Sequence, residues 1–491
     1  MPVGLWILAI YTVAMLCVAY YASKRDQKTI KDFAIGSGFG MFILALTFST
    51  TYHSAFAFMG AAGFAHTHGI GWWANGLWTV LPGILFWVWG RRFWFLGKKY
   101  GYISVVEYMA DVYQSRAVGL IIAITAIVFT IPLLAMQAIG SAYIFEVVSG
   151  GVLTYEMGVI IFFTVLVVLV YMGGMRGIAI TDAGQGTFMW FGLIIGGFII
   201  LYVNFGSVGE AYAAAYRHMP ELFTLPGPRG LITPGDWVSR WIVITLGMLM
   251  FPHISLRFFA GKSLRALKWA AVFSSIYLTT IYVFTPAVGF VGHILIPDLA
   301  VADTVLPEML LRFTPIVFAS LIIAGAYVAA QSTADSHLHA TSSVIGNDIY
   351  RANINRTASD FTVYRVARIS VIVLGIFAIV VALQRPGMLG NILLVANAGV
   401  AVLSPAVIGG LYWKKATKQG ALISIIGGQC VNVFLALGLR ISPLNITAGL
   451  WGLMVSLILY VGVCLATQSR VEKRTEQIID SINEYFGPEK A

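Results

Sequence analysis

The sequence predicts an all-α integral membrane protein of about thirteen transmembrane helices, with two inverted five-helix repeats and broken first and sixth core helices. Three observations carry this. Hydrophobic residues make up 59% of the 491 and charged residues 11%, with a mean hydropathy of +0.84, so the bilayer is the solvent. Thirteen runs are mostly apolar over the roughly 18 residues that a spanning helix needs. Two of these runs, five helices apart, are interrupted in mid-span by polar residues, Gly or Pro. Paired breaks of this kind mark inverted repeats, with binding sites at the interruptions.

The first run, 3–22, has no basic residue before it and Lys24 and Arg25 directly after it. A cleavable signal peptide has the opposite flank, so an uncleaved helix that starts outside is expected. The remaining runs are 40–65, 70–93, 118–148, 155–172, 180–203, 237–259, 267–294, 316–346, 362–383, 389–412, 420–438 and 445–466. With the N-terminus outside, the inner loops and tail hold 25 of the 31 Lys and Arg (Lys24, Arg25, Lys28 and Lys490 among them). The outer side keeps Arg217, Arg229, Arg240, Arg312, Arg385 and Arg440. A missed or extra helix would scramble this bias. A multi-pass protein of the cell (inner) membrane is therefore expected, N-terminus outside and C-terminus cytoplasmic.

The expected organisation is an extra helix and loop (1–39), a first repeat (40–203), an external loop (204–236), a second repeat (237–412), two C-terminal helices (413–466) and a tail (467–491). Segments 204–236 and 295–311 carry Pro and Gly with little periodicity, as loops or short surface helices do. The tail contains VEKRTEQIIDSINEYF, an amphipathic pattern suited to the inner surface.

The first break lies in FILALTFSTTYHSAFAFMGAAGF, where Ser49, Thr50, Thr51, Tyr52, His53 and Ser54 sit mid-membrane. The second lies in ITLGMLMFPHISLRFF, with Gly247, Pro252 and His253 between apolar halves. Pro and Gly in a span free backbone groups that must be satisfied elsewhere. A proline kink alone would account for the second; the pairing favours a carrier.

The stretch from Ala324 to Tyr350 organises the chain. It continues an apolar helix yet carries Ser332, Thr333, Asp335, Ser336, His337, His339, Thr341, Ser342 and Ser343. Ser332, Asp335, Ser336 and His339 share one helical face. Hydroxyls and a carboxylate on one face are hard oxygen donors, suited to a small cation or a proton. Close helix packing accounts for Thr341, Ser342 and Ser343, but poorly for Asp335, because ionisable groups at that depth are costly without a partner.

Several classes fit poorly. The net charge of +10 sits in short loops between helices, so nucleic acid is not implied. Cys17, Cys430 and Cys464 lie in apolar runs, giving neither a disulfide framework nor a metal cluster. His337 and His339 point roughly 200° apart on a helix, which is no metal spacing, and His66 and His68 sit in a short outer loop. An enzyme would need a nucleophile and base or metal ligands near an interface, so no enzyme is expected.

At this point the chain resembles the sodium–solute symporter family, with its LeuT-type fold, over nearly its whole length to about Leu465. The segments that carry the resemblance are AAQSTADSHLHATSSVIGNDIYR, like the family's eighth core helix; YMGGMRGIAITDAGQG; LSPAVIGGLYWKKATKQGA, like its tenth core helix; and FPHISLRFF, like the sixth core helix of pantothenate and monocarboxylate permeases. The resemblance implies a principal Na+ site from the carbonyls of Thr50, His53 and Ala329 and the side chains of Ser332 and Thr333. Freed carbonyls and hydroxyls suit Na+ independently.

Asp182 matches the family's aspartate of the fifth core helix, and the resemblance implies a second cation or proton site with Asp335 and Ser336. Here Asp335 departs from a neutral residue in relatives. Two facing carboxylates would ligate a cation or share a proton; equally, Asp335 could pair with His339 one turn on. H+ in place of, or beside, Na+ therefore stays open.

The substrate pocket expected at the midplane draws on Tyr52, His53, Trp72, Trp73, Gln137, Met248, Pro252, His253 and Asn397. Aromatic and amide groups with few fixed charges suit a small organic solute. Tyr52 and His53 replace the acidic residue and its apolar neighbour of proline-type relatives, which weakens an amine reading. His53 could orient a carboxylate, carry a coupling proton, or simply satisfy freed carbonyls; Trp72 and Trp73 could be interfacial anchors. The expectation is a symporter for a short monocarboxylate (acetate, lactate, pyruvate or propionate), with pantothenate, proline-type amino acids or a proton-coupled carrier as alternatives. A transporter-like sensor is a different class, against which the short tail argues. The expected partners are the small solute and membrane lipid, with no nucleic acid and no obligatory protein.

Overall fold

The computed structural model describes residues 3–23, 29–35, 38–52, 54–71, 77–439 and 441–487. Of the residues singled out above, Lys24, Arg25, Lys28, His53, Trp72, Trp73, Arg440 and Lys490 lie outside the described residues.

Local sequence sets the helix starts. Ser104, Ser115, Thr154, Ser207, Thr233, Ser263, Ser359, Thr417 and Thr447 each accept a hydrogen bond from a backbone amide of the first turn that follows. These hydroxyls satisfy amides that have no partner within the helix. Gly150 and Gly206 end long helices in the left-handed conformation that glycine adopts freely.

Among the described residues nine helices are long and apolar enough to cross a membrane. Three bent pairs raise the number to twelve. They are Met41–Tyr52 with Phe56–Gly71 (bent by 59°), Pro234–Met250 with Pro252–Ala260 (54°), and Leu389–Ala401 with Ser404–Tyr412 (42°). The first two are the breaks that the sequence indicated. The third, ahead of Pro405, divides the single span expected at 389–412 into two halves. The expected span at 70–93 is instead the helix Leu77–Tyr100, whose apolar part ends at Arg91 and Arg92. The two spans expected at 155–172 and 180–203 are present as Tyr155–Met175 and Gly177–Phe205. The link between them is shorter than expected, with a break in the helical backbone at Gly174, where φ is 54° and ψ −168°. Only glycine takes that conformation without strain.

The polar helix Ile316–Val344 is the centre of the molecule. From Ile322 to Val344 every residue is buried. It packs against Arg116–Ser149, Tyr155–Phe205, Val3–Ser23, and the halves Met41–Tyr52 and Pro252–Ala260 of the two broken spans. Leu264–Leu295 braces the first broken span and Leu77–Tyr100 from the other side. The two broken spans are also tied by backbone. Phe39 N donates to Ala260 O at 2.8 Å, and Lys262 N donates to Phe39 O at 2.9 Å.

The tail forms the helix Lys473–Phe486, with Ile478, Ile479, Ile482 and Phe486 buried. It docks on the protein itself: Arg474 pairs with Asp111 at 2.7 Å and Lys418 with Glu472 at 3.0 Å.

Candidate functional site

The break of the first span is held open by a neighbouring helix. Gln137 Oε1 accepts from the Ala55 amide at 2.8 Å, and Ser54 Oγ accepts from the Phe56 amide at 3.1 Å. In the second broken span Phe251 is extended (φ −67°, ψ 142°) and Pro252 opens the following half. Pro252 lacks an amide hydrogen, so no donor is left unmet there.

Between the two breaks lies a cavity lined by Tyr52, Ser54, Phe56, Trp78, Leu133, Met136, Gln137, Ile244, Met248, Tyr282, Thr333, His337 and Leu393. Its volume, about 30 Å³, is room for two or three waters at the roughly 10–15 Å³ each needs. Of the expected pocket residues, Tyr52, Gln137 and Met248 line it. Pro252, His253 and Asn397 do not line it. Asn397 Nδ2 donates to Leu393 O at 2.8 Å. The buried His253 ring lies 3.5 Å, centroid to centroid, from that of His337, which does face the cavity.

Of the described residues expected at the principal cation site, Thr333 lines this cavity. Ser332 and Thr333 are buried, and Ser332 Oγ donates to the Ala329 carbonyl at 3.1 Å. Thr50 Oγ1 donates to Leu46 O at 2.6 Å and lies 3.2 Å from Asp182 O. One turn away, Thr51 and Ser336 hydroxyls meet at 3.0 Å and join the first broken span to the polar helix.

The second expected site holds a residue that the sequence reading left out. Asp182 and Ser336 do meet, but around the guanidinium of Arg257, itself only 1% exposed. Arg257 Nη2, which has two hydrogens to give, lies within hydrogen-bonding distance of four acceptors: Thr47 Oγ1 (2.9 Å), Ser336 Oγ (2.9 Å), Asp182 Oδ2 (3.3 Å) and Thr51 Oγ1. Nη1 donates to the His253 carbonyl. Thr47 donates its own proton to Asp182 Oδ2 at 2.5 Å. Asp335 is buried, and its Oδ1 has no hydrogen-bond partner among the described residues. His339 turns elsewhere: its Nε2 lies 2.6 Å from Phe33 O, which only accepts, so Nε2 carries the proton. Arg257 had been counted with the inner-loop charges. The signal for it is partial: an arginine inside the predicted span 237–259 needs an acidic partner in another span, but Arg257 lies close enough to its inner end to read as a loop charge.

The sodium:solute symporter family model matches residues 33–428. The chain belongs to that family. The sodium/pantothenate symporter of Haemophilus influenzae is 27% identical over 88% of this chain and 90% of its own. That of Escherichia coli is 27% identical over 87% and 89%. The osmoregulated proline transporter of Bacillus subtilis is 25% identical over 92% and 94%. The fold matches the outward-open state of a Na+-coupled sialic acid symporter with a TM-score of 0.80 at 19% identity, covering 94% of this chain and 97% of that one. This sodium:solute symporter thus has the LeuT-like architecture. It is a multi-pass membrane transporter and not an enzyme, and it couples Na+ to the movement of a small solute.

Proposed function

We propose that this symporter carries a pantothenate-like carboxylate inward with Na+. The observation that carries the reading is the cavity lining. It offers the hydroxyls of Tyr52, Ser54, Tyr282 and Thr333, the amide of Gln137 and the imidazole of His337, and among the described residues contains no Asp, Glu, Lys or Arg. An ammonium group finds no carboxylate there, which disfavours a free amino acid. A solute with hydroxyls, an amide and one carboxylate finds partners in kind, and two relatives are sodium/pantothenate symporters. The relatives named above are pantothenate and proline transporters, so short monocarboxylates, the first expectation from the sequence, fall behind.

Na+ in this reading binds between the broken first span and the polar helix, at the carbonyls of Thr50, His53 and Ala329 and the hydroxyls of Ser332 and Thr333. By joining two elements that move relative to each other, the ion favours the state that also accepts solute. Coupling requires only that both ligands favour the same state. The cavity of about 30 Å³ must widen for such a solute, which alternating access supplies. The excess of Lys and Arg in alternate loops supports an N-terminus on the outer side.

The test is uptake of labelled pantothenate, proline, acetate and pyruvate into proteoliposomes, under a Na+ gradient and separately under a proton gradient. Na+-driven pantothenate uptake, lost in Ser332→Ala/Thr333→Ala, is expected. Na+-driven proline uptake without pantothenate uptake would overturn the substrate class. Proton-driven uptake indifferent to those two hydroxyls would overturn the ion.

A further inference from the structure

We propose that Arg257 is a built-in substitute for a second coupling cation, so that the protein binds a single Na+. The guanidinium sits among oxygens from four elements: Thr47 and Thr51 on the first broken span, Asp182 on Tyr155–Phe205, the His253 carbonyl on its own short helix, and Ser336 on the polar helix. This is the setting in which a bound monovalent cation would tie the broken spans to the rest of the fold. The hydroxyls and carboxylate are hard donors that suit Na+ as well as a guanidinium. Asp182 and Ser336, the pair expected to hold a second ion, both spend hydrogen bonds on Arg257 instead. The charge is covalently fixed to Pro252–Ala260, so it moves with the protein and is neither taken up nor released in the cycle. The inference deepens the sodium-coupled reading above, because it fixes how many ions accompany the solute.

The remaining carboxylate, Asp335, does not restore the site. Its neighbours on the polar helix, Ser332 and Ser336, bond to Ala329 O and to the Arg257 cluster. A cation entering beside Asp335 would also face the Arg257 charge.

The experiment is equilibrium binding of radioactive Na+ to the purified full-length protein, counted per chain, with no solute required. One ion in the wild type, lost in Ser332→Ala/Thr333→Ala, is expected. Two ions in the wild type overturn the proposal, as does an ion that survives Ser332→Ala/Thr333→Ala and disappears on adding Asp182→Asn or Asp335→Asn. Arg257→Ala is expected to bind one ion more than the wild type, whatever the principal site does. Methylguanidinium should compete with that extra ion and leave the wild-type ion alone. Equal counts in a monodisperse Arg257→Ala protein overturn the proposal; if that variant does not fold, the wild-type count decides. Loss of the principal-site reading has its own signature, an ion count that Ser332→Ala/Thr333→Ala leaves unchanged.

Discussion

Gln137 Oε1 accepts the hydrogen bond of the Ala55 amide at 2.8 Å, so a side chain from one helix closes the break in another. Gln137 is fully buried, and its Nε2 is held by Leu133 O at 3.3 Å. The fixed amide does for the broken backbone what the next helical turn would have done. Gln137→Ala leaves the Ala55 amide unpaired, at a cost of about 1–3 kcal/mol. A lower melting temperature in detergent and reduced Na+-driven uptake are expected together. Unchanged melting would mean that water replaces the side chain.

How far this was legible in the sequence differs from residue to residue. The breaks were readable because Pro252 cannot donate and because a run of hydroxyls from Ser49 to Thr51 makes sense in lipid only against other protein. The central place of the polar helix was readable from Ser332, Asp335 and Ser336 on one face. The bend before Ser404 is marked only by Pro405, which cannot donate a helical hydrogen bond; no run of polar residues accompanies it as at the first break. The two spans on either side of Gly174 were legible, but not how short their link is: Gly and Arg in YMGGMRG look like a loop of several residues, while one glycine with positive φ lets one span end and the next begin almost at once. Arg257 lies near the inner end of the predicted span 237–259, where the sequence alone does not separate a loop charge from a buried partner of a carboxylate in another span.

A glycine sets the second break against the tenth core helix. A Cβ on Gly247 would lie 2.5 Å from the Asn397 carbonyl oxygen and 2.9 Å from its Oδ1. Backbone cannot yield as a flexible side chain does, so Gly247→Ala forces Pro234–Met250 away from Leu389–Ala401. Overpacking of this kind costs about 1–3 kcal/mol. A melting temperature lowered relative to wild type is expected, whereas Gly462→Ala, where nothing lies within 4 Å, should change little.

Asp303 gives a pH dependence. It lies between spans, buried, with Oδ2 accepting from the Leu389 amide at 3.1 Å. Burial pushes its carboxyl up to about 6 from the ordinary 3.8, with the Leu389 hydrogen bond opposing. Because the folded value is the higher one, the contribution to stability is complete below the unfolded value and is lost as pH rises through the folded one. The window is therefore about pH 4 to 6, and the shift corresponds to about 3 kcal/mol at most. Asp303→Asn keeps an acceptor for Leu389 and removes the titration. It should match wild type near the acid end and melt higher above the window; parallel curves across the window would remove Asp303 as the cause.

The ion pair between Asp182 and Arg257 tests whether the cluster works as a unit. The two are 3.3 Å apart, with both side chains almost fully buried. Removing either partner leaves an uncompensated charge in a low-dielectric interior, which typically costs about 3–5 kcal/mol. Removing both takes away the two charges of the pair together and leaves a polar pocket lined by Thr47, Thr51 and Ser336, with Asp335 nearby. Asp182→Asn and Arg257→Gln should therefore each lower the melting temperature markedly, and the double variant should recover part of the loss. The recovered part is the coupling between the two residues, because a double-mutant cycle cancels what each substitution does alone. Added Na+ sharpens the comparison. In Arg257→Gln, Asp182 is again free to hold a cation, so Na+ should raise the melting temperature more than in wild type. In the double variant that extra increment should vanish. Strictly additive losses, with the same Na+ response in all four proteins, would mean that the pair is incidental and that Thr47, Thr51 and Ser336 hold the helices together without it.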